Sequence, residues 1–311
     1  MNPSATWVLC EPYAGLQAQA LGLTEAAGLD AETRFLAPRG LWKHIPARWW
    51  PNPAAAIGAD TLRPPLPDLL VGCGGKSAAV LAGLRHRVPG VIVQHPRMDI
   101  RRFALVVAAR HDELTGPNVF VSRTALHRVR PQRLAAAAEA WRERLAHLPR
   151  PLVAVLVGGS NGRFRLGVAE GRALAGQLAG MMQADKVGLM LTPSRRTDPA
   201  VTRILSGTLT PLGGVVWDGT GENPYFGMLA LADAIVVTTD SVSMVSEAAA
   251  TSAPLLLAQL PGRSRRIGLF LQGLIDDGRA RPYQGRLELW PVTPLDDTPA
   301  AADAMRRRLG F

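Results

Sequence analysis

The residues able to do chemistry gather where an apolar run gives way to a polar turn and then to a helix-forming stretch. Ala234–Val237 is apolar and β-branched, and it runs through Thr238-Thr239-Asp240-Ser241 into an Ala-rich segment from about Ser243 to Ala250. Strand, turn and helix in that order put small hydroxyl groups and first-turn helix amides at the carboxyl edge of a parallel sheet. A phosphate suits such a place, because those amides have no intrahelical acceptor and the helix dipole favours an anion. Glu247 falls one turn into the same helix. Two more turns share this logic: Gly158-Gly159-Ser160-Asn161-Gly162 after Leu152–Val157, and Thr192-Pro193-Ser194-Arg195-Arg196-Thr197 after Gly188–Leu191. Arg195 or Arg196 at a strand end would fork onto a diphosphate, with salt-bridged surface arginines as the competing account. Nearer the N-terminus, His95 and His111-Asp112 follow the short runs Val91–Gln94 and Leu105–Ala108. Histidine is the natural acid or base near neutral pH, and an adjacent carboxylate raises its basicity. Hydrogen-bonded loop histidines are the bland alternative.

The elements that must hold these residues read as alternating strands and helices, the pattern of a doubly wound α/β fold. Trp7–Cys10 predicts a strand, then a helix from about Leu16 to Ala27 closed by Gly28. Residues 35–67 are rich in Pro and Trp and predict an irregular excursion with a short helix near Ala54–Ala59. Trp42, Trp49 and Trp50 beside Lys43, His44 and Arg48 suggest either packing under a loop or contact with a membrane interface, the packing reading being favoured. Leu69–Val71 is the next strand, and Gly72-Cys73-Gly74-Gly75-Lys76-Ser77 lacks the spacing of a nucleotide triphosphatase loop. Val119–Ser122 completes this sheet, a helix covers Leu134–Leu148, and Pro149-Arg150-Pro151 marks a boundary. The second half begins afresh at Leu152–Val157 and adds the strands Gly188–Leu191, Val215–Trp217, Ala234–Val237 and Leu255–Ala258. In Asn223-Pro224-Tyr225, Asn caps a helix and Pro takes its first position. The expected organisation is residues 1–149, residues 150–290 and a tail helix in 291–311 that packs back on the first domain.

At 311 residues the chain fits two domains. No apolar run approaches the roughly 20 residues that span a bilayer, and Met1–Thr6 does not read as the start of a signal peptide. Cys10 and Cys73 both lie beside buried-looking runs, which points to reduced thiols and a cytoplasmic chain. The formal charge of +10 attracts phosphorylated substrates or anionic lipid, or it is spread over a solvated surface. Neither zinc-ligand spacing nor an RNA-binding aromatic pattern is present, so metal and nucleic acid are not expected.

Leu156-Val157-Gly158-Gly159-Ser160-Asn161-Gly162 and Asp240-Ser241-Val242-Ser243-Met244-Val245-Ser246-Glu247 resemble the donor-domain motifs of GT-B glycosyltransferases. Together with Glu222-Asn223-Pro224-Tyr225, Thr192–Thr197, Gln94-His95-Pro96-Arg97 and His111-Asp112, they look like bacterial members of the mitochondrial-fission ELM family, in order along nearly the whole chain. That resemblance implies two Rossmann-like domains facing a cleft and a nucleotide-diphosphate sugar as donor. It assigns Glu247 to the ribose hydroxyls. The diphosphate would fall to the Gly158–Ser160 loop and the Ser241, Ser243 and Met244 amides, with charge from Arg195. Asn161, Thr192, Asn223, Tyr225 and Asp240 complete the expected nucleotide site. His95, His111 and Asp112 are the candidate bases on the acceptor side. The implied activity is metal-independent sugar transfer to a cell-envelope or lipid-linked acceptor, by a cytoplasmic protein peripheral to an anionic inner membrane. Epimerisation or hydrolysis of the nucleotide sugar, and a non-enzymatic membrane scaffold, are the alternatives. One departure stands out: family members carry an Asp-Gly-Lys-like start to the first glycine loop, where this chain has Glu11-Pro12-Tyr13.

Overall fold

A computed structural model describes residues 3–311, with the side chains of residues 59 and 60 set aside. The chain forms two compact units. Unit 1 comprises residues up to Arg128 together with Asp296–Phe311, and unit 2 is Val129–Leu295.

Unit 1 is built on the strands β1 (Thr6–Cys10), β2 (Ala31–Phe35), β3 (Leu69–Cys73), β4 (Gly90–Val93), β5 (Leu105–Ala109) and β6 (Val119–Ser122). They form one sheet in the order β2-β1-β3-β4-β5-β6, and every neighbouring pair is parallel. β1, β3 and β4 are buried on both faces, which is why they read as unbroken apolar runs rather than as alternation. Helix α1 (Ala14–Ala26) follows β1, the one-turn α2 (Pro53–Ile57) lies in the Pro-rich excursion, and α3 (Gly75–Leu84) follows β3. One face packs Leu9, Leu70, Ile92 and Val106 beneath α3, Trp50 and Ile57. The other packs Val8, Val71, Val91 and Val107 beneath α1 and the C-terminal helix Thr298–Leu309, through Ala301, Ala302 and Met305. That helix is tied at both ends. The Asp297 carboxylate accepts the Arg123 backbone N–H at 2.6 Å, and the Arg306 guanidinium donates to the Ala26 and Ala27 carbonyls at 3.1 and 3.2 Å. These carbonyls end α1 and would otherwise lack donors.

Unit 2 starts with α4 (Pro131–Leu145) and then alternates β7 (Leu152–Val157), α5 (Val168–Asp185), β8 (Gly188–Pro193), α6 (Pro199–Leu209) and β9 (Val215–Val216). α7 (Tyr225–Leu231), β10 (Ala234–Thr238), α8 (Val242–Ala249), β11 (Leu255–Ala258), α9 (Arg265–Asp276) and β12 (Ala280–Pro282) complete it. The sheet order is β12-β11-β10-β7-β8-β9, again all parallel. From β7 the chain winds outward through β8 and β9, then returns to place β10 on the other side of β7. That reversal opens a crevice at the carboxyl ends of β7 and β10, where doubly wound folds bind ligands. Pro149-Arg150-Pro151 separates α4 from β7 within this unit, because α4 packs on α7 and buries Leu145 in unit 2's core. Gly227 of α7 is the close point: a Cβ there would meet the Trp141 ring at 2.5 Å.

Candidate functional site

The crevice of unit 2 is wired by one carboxylate. Asp240, whose side chain is fully buried, accepts from the Thr238 hydroxyl at 2.7 Å, the Gly159 N–H at 3.1 Å and the Arg196 guanidinium at 2.8 Å. Thr238 in turn accepts the Gly158 N–H at 2.7 Å, and Arg196 also donates to the Gly159 carbonyl at 3.0 Å. Thr197 donates to the carbonyls of Val157 and Gly158 and accepts the Ser194 N–H at 2.9 Å. The ends of β7, β8 and β10 are thereby locked together. This explains the glycines in physical terms. A Cβ at Gly158 would lie 2.2 Å from the Asp240 carboxylate, and one at Gly159 would lie 2.1 Å from the Arg196 carbonyl.

The consequence for the expected diphosphate loop is direct. The Gly158 and Gly159 amides are spent on Thr238 and Asp240, and the Ser160 hydroxyl exchanges hydrogen bonds with the backbone of Leu166 at 2.9 and 3.2 Å. The Asn161 side chain closes its own turn by accepting the Arg163 and Phe164 N–H groups at 2.9 and 3.0 Å. Arg195 is exposed, and its neighbour Arg196 is the arginine that reaches Asp240. Thr192 is buried and bonds only weakly to the Pro193 carbonyl, at 3.4 Å.

Helix α8 begins beside this network. Ser241 is its N-cap, and its hydroxyl accepts the Met244 N–H at 3.4 Å. Val242 and Ser243 hold the first two helical positions, where amides have no intrahelical acceptor. At the other end, the buried Arg279 donates to the carbonyls of Ala248, Ala249, Thr251 and Ala253 at 2.9 to 3.0 Å. The helix is therefore fixed from its carboxyl end while its amino end faces the crevice. Burial holds the Arg279 pKa down at about 10.

Glu247 is buried within α8, and its carboxylate accepts the hydroxyl of Tyr225 at the start of α7. Burial pushes the Glu247 carboxyl up to about 7, against the Tyr225 hydrogen bond and the Arg133 charge, which both favour the anion. The same burial, and then the facing carboxylate, drives the Tyr225 hydroxyl well above its ordinary range. Asn223 accepts the Tyr225 N–H at 3.0 Å and so stabilises the start of α7 from outside the helix. An apolar slot of about 260 Å³ lies where α4, the β8–β9 edge of the sheet and α7 meet, and its walls include Trp141, Leu191, Val216, Trp217, Pro224 and Met228. The Trp217 indole N–H donates to the Thr220 carbonyl at 2.7 Å, which fixes the ring.

In unit 1 the candidate bases lie at the carboxyl ends of β4 and β5, which are parallel neighbours. The His95 Nδ1 accepts the Arg97 N–H at 2.9 Å within its own turn. Gln94 and Arg97 on either side have φ of +77° and +56°, backbone that non-glycine residues adopt at a cost. His111 and Asp112 lie on a single 3₁₀ turn, Arg110–Asp112, followed by Glu113 at φ +53°. The crevice of this sheet, between β1 and β3, holds a salt bridge of 2.5 Å between Glu11 and Lys76, and Gln94 donates to Gln19 at 3.4 Å. Lys76 thus spends its charge on the residue that departs from the expected pattern. Among the described residues, no group of three His, Cys, Asp or Glu is placed to hold a metal ion.

Sequence reasoning places Thr238 and Thr197 in its polar turns without a role of their own, and passes over Arg133 and Trp217 as site residues. The role of the two threonines as ties between strand ends depends on partners in other turns, Gly158 for both and Asp240 for Thr238. Arg133 and Trp217 reach the site from separate elements, and no local spacing points to them.

Two parallel six-stranded sheets, each with a crevice at a reversal in strand order, define a GT-B-class α/β protein. The MurG structure from Acinetobacter baumannii matches with a TM-score of 0.54 over 99% of this chain and 90% of that one, at 16% identity. The UDP-GlcNAc 2-epimerase of Methanocaldococcus jannaschii, solved with UDP-GlcNAc and UDP, matches with a TM-score of 0.58 over 99% of both chains, at 11% identity. At such identities the likeness is one of fold. Residues 14–309 match the family model described as Mitochondrial fission ELM1, and the chain belongs to that family. The mitochondrial fission protein ELM1 of Arabidopsis thaliana is 31% identical over 274 residues, 78% of this chain, and the match spans 64% of that longer protein.

Proposed function

We propose that the chain is a GT-B glycosyltransferase whose donor, a nucleotide-diphosphate sugar, binds in the crevice of unit 2. The observation that carries this reading is the amino end of α8 with Glu247 one turn in, tied by the Tyr225 hydroxyl to α7, the helix that also walls an apolar slot. Amides take a diphosphate, a carboxylate takes ribose hydroxyls, and an apolar slot with an aromatic wall takes a base. With Gly158 and Gly159 committed to Thr238 and Asp240, the diphosphate falls to the Val242 and Ser243 amides. The Arg196 guanidinium is tied to Asp240, so the exposed Arg195 keeps the role of adding positive charge beside the diphosphate. Uracil is the base to test first, because the epimerase of similar fold was solved with UDP.

In the reaction, an acceptor hydroxyl oxygen attacks the anomeric carbon, the bond from that carbon to the diphosphate oxygen breaks, and a base takes the hydroxyl proton. Helix amides and arginine stabilise the departing diphosphate electrostatically. Unit 1 holds the acceptor in this scheme, with His95, His111 or Asp112 as base. A lipid-linked acceptor at the inner leaflet suits the net charge of +10. The epimerase likeness supports a second reading, in which the same donor is epimerised or hydrolysed without an acceptor.

Calorimetry with UDP-, GDP-, ADP- and CMP-sugars tests the donor assignment: one nucleotide class binds, and Glu247→Ala weakens it at least about tenfold, the loss of one charge-assisted contact. Silence across the panel sinks the proposal. Product analysis without acceptor then separates the two readings, since a transferase leaves the sugar nucleotide almost intact and an epimerase or hydrolase consumes it.

A further inference from the structure

The Pro- and Trp-rich excursion of unit 1 is a built platform with an apolar, basic outer surface. Trp50 is buried beneath it, its indole N–H donating to the Ile45 carbonyl at 3.0 Å, and Trp42 packs edge-on against it at 6.4 Å between ring centroids. Ala56 and Ile57 of α2 join the same core under α3. The Asn52 side chain caps α2 by accepting the Ala55 N–H at 3.1 Å. Trp50 is buried and Trp42 half-buried, yet the same segment holds Leu41 at 79% and Trp49 at 64% exposure. Large apolar side chains on an anchored turn have a place to be other than water.

The charges around them are of one sign. Residues 36–58 contain Arg39, Lys43, Arg48 and His44 and not one carboxylate. Lys43, His44 and Arg48 are exposed, and the Arg48 guanidinium lies 4.9 Å from the centre of the Trp49 ring. Tryptophan prefers the headgroup level of a bilayer, lysine and arginine snorkel to phosphate, and basic residues close to the surface add attraction to anionic lipid. An acidic protein face would satisfy the charges but gives no reason for the exposed Leu41 and Trp49 among them.

We propose that residues 40–49 dock unit 1 onto an anionic bilayer surface, Leu41 and Trp49 entering the interface and Lys43, His44 and Arg48 contacting lipid phosphates. This inference rests on unit 1 alone and stands or falls independently of nucleotide binding by unit 2.

The test is flotation of the full chain with vesicles of phosphatidylcholine, with and without 30 mol% (about a third) phosphatidylglycerol, a composition in the anionic range that polybasic segments sense. Wild type floats with the anionic vesicles and about tenfold less with neutral ones. The double variant Leu41→Ser/Trp49→Ser loses about tenfold or more on anionic vesicles, and Lys43→Glu/Arg48→Glu does the same. Arg142→Glu/Arg307→Glu, an equal charge change at exposed residues elsewhere, stays within about twofold. Unchanged thermal melting shows that each variant is folded, which is expected because all the altered side chains are exposed. The proposal is overturned if wild type does not float. It is also overturned if the apolar double variant floats as well as wild type, or if the two charge variants lose binding equally, since adsorption then follows net charge alone.

Discussion

The two crevices of this molecule are made from nearly the same sheet and finished by different chemistry. In unit 2 a fully buried carboxylate, Asp240, gathers a hydroxyl, a backbone amide and a guanidinium, and glycines are forced wherever Asp240 and Arg196 press against the loop. In unit 1 the corresponding crevice carries a partly exposed Glu11–Lys76 pair and turns that keep Gln94, Arg97 and Glu113 in left-handed backbone. A buried, fully hydrogen-bonded network specifies one geometry, whereas a partly hydrated pair tolerates several. The proposed transfer asks for that division: a rigid donor pocket in unit 2 and a more adaptable acceptor surface in unit 1.

The comparison breaks first, and most visibly, at Asp240. Asp240→Ala leaves the Gly159 amide, the Thr238 hydroxyl and Arg196 without their acceptor and is expected to cost about 3 kcal/mol by denaturant melting. Gly159→Ala comes next, at about 2 to 3 kcal/mol, because the clash at 2.1 Å is with backbone that cannot step aside. A loss under about 0.5 kcal/mol in either variant, the range of an ordinary surface change, would show that the network does not organise the crevice.

Glu247 sharpens the same contrast through pH. Its carboxyl is raised from 4.5 to about 7 in the folded chain, so the folded state binds the extra proton between those values. Stability therefore falls as pH rises from about 4.5 through 7, and it is greatest in this respect below the unfolded pKa. Glu247→Gln keeps an acceptor for Tyr225 and removes the buried charge. It is expected to be more stable than wild type at pH 8 by about 1 to 2 kcal/mol, with the gap closing toward pH 5. Paired melting curves at the two values check this, and a gap that widens on acidification would reverse the assignment. The smallest effect belongs to unit 1: Lys76→Met is expected to cost under about 1 kcal/mol, the range of a partly exposed ion pair.

Much of this was readable in the sequence, for identifiable reasons. The central strands were plain because they are buried on both faces, and Leu152–Val157 and Leu255–Ala258 coincide with β7 and β11 to the residue, as does the edge strand Val119–Ser122 with β6. β2 was not, because Glu32 and Arg34 break its apolar pattern and pair with each other on the sheet's edge, at 2.9 Å. α6 was passed over although Asp198-Pro199 is a cap followed by a first-turn proline, a signal the sequence does carry. In the candidate site, the strand–turn–helix order leading into α8 and the place of Glu247 one turn into it were legible. The spending of the Gly158 and Gly159 amides was not, since it depends on Thr238 and Asp240 arriving from a strand some eighty residues away. Tyr225 is named for the site by the family resemblance, but its hydrogen bond to Glu247 was not legible, since it joins residues of two separate helices, α7 and α8. Tryptophan showed both behaviours within one stretch, Trp50 buried and Trp49 exposed, and adjacent positions of one residue type give no periodicity by which to tell them apart.

Amide hydrogen exchange with and without UDP tests the central claim most directly, because it reads each crevice separately in the intact chain. Saturating UDP is expected to slow exchange in the segment 239–246, at the start of α8, while the segment 73–78 at the β3–α3 turn of unit 1 is unchanged. Protection confined to 73–78, or none in 239–246 at concentrations that saturate binding, would contradict it.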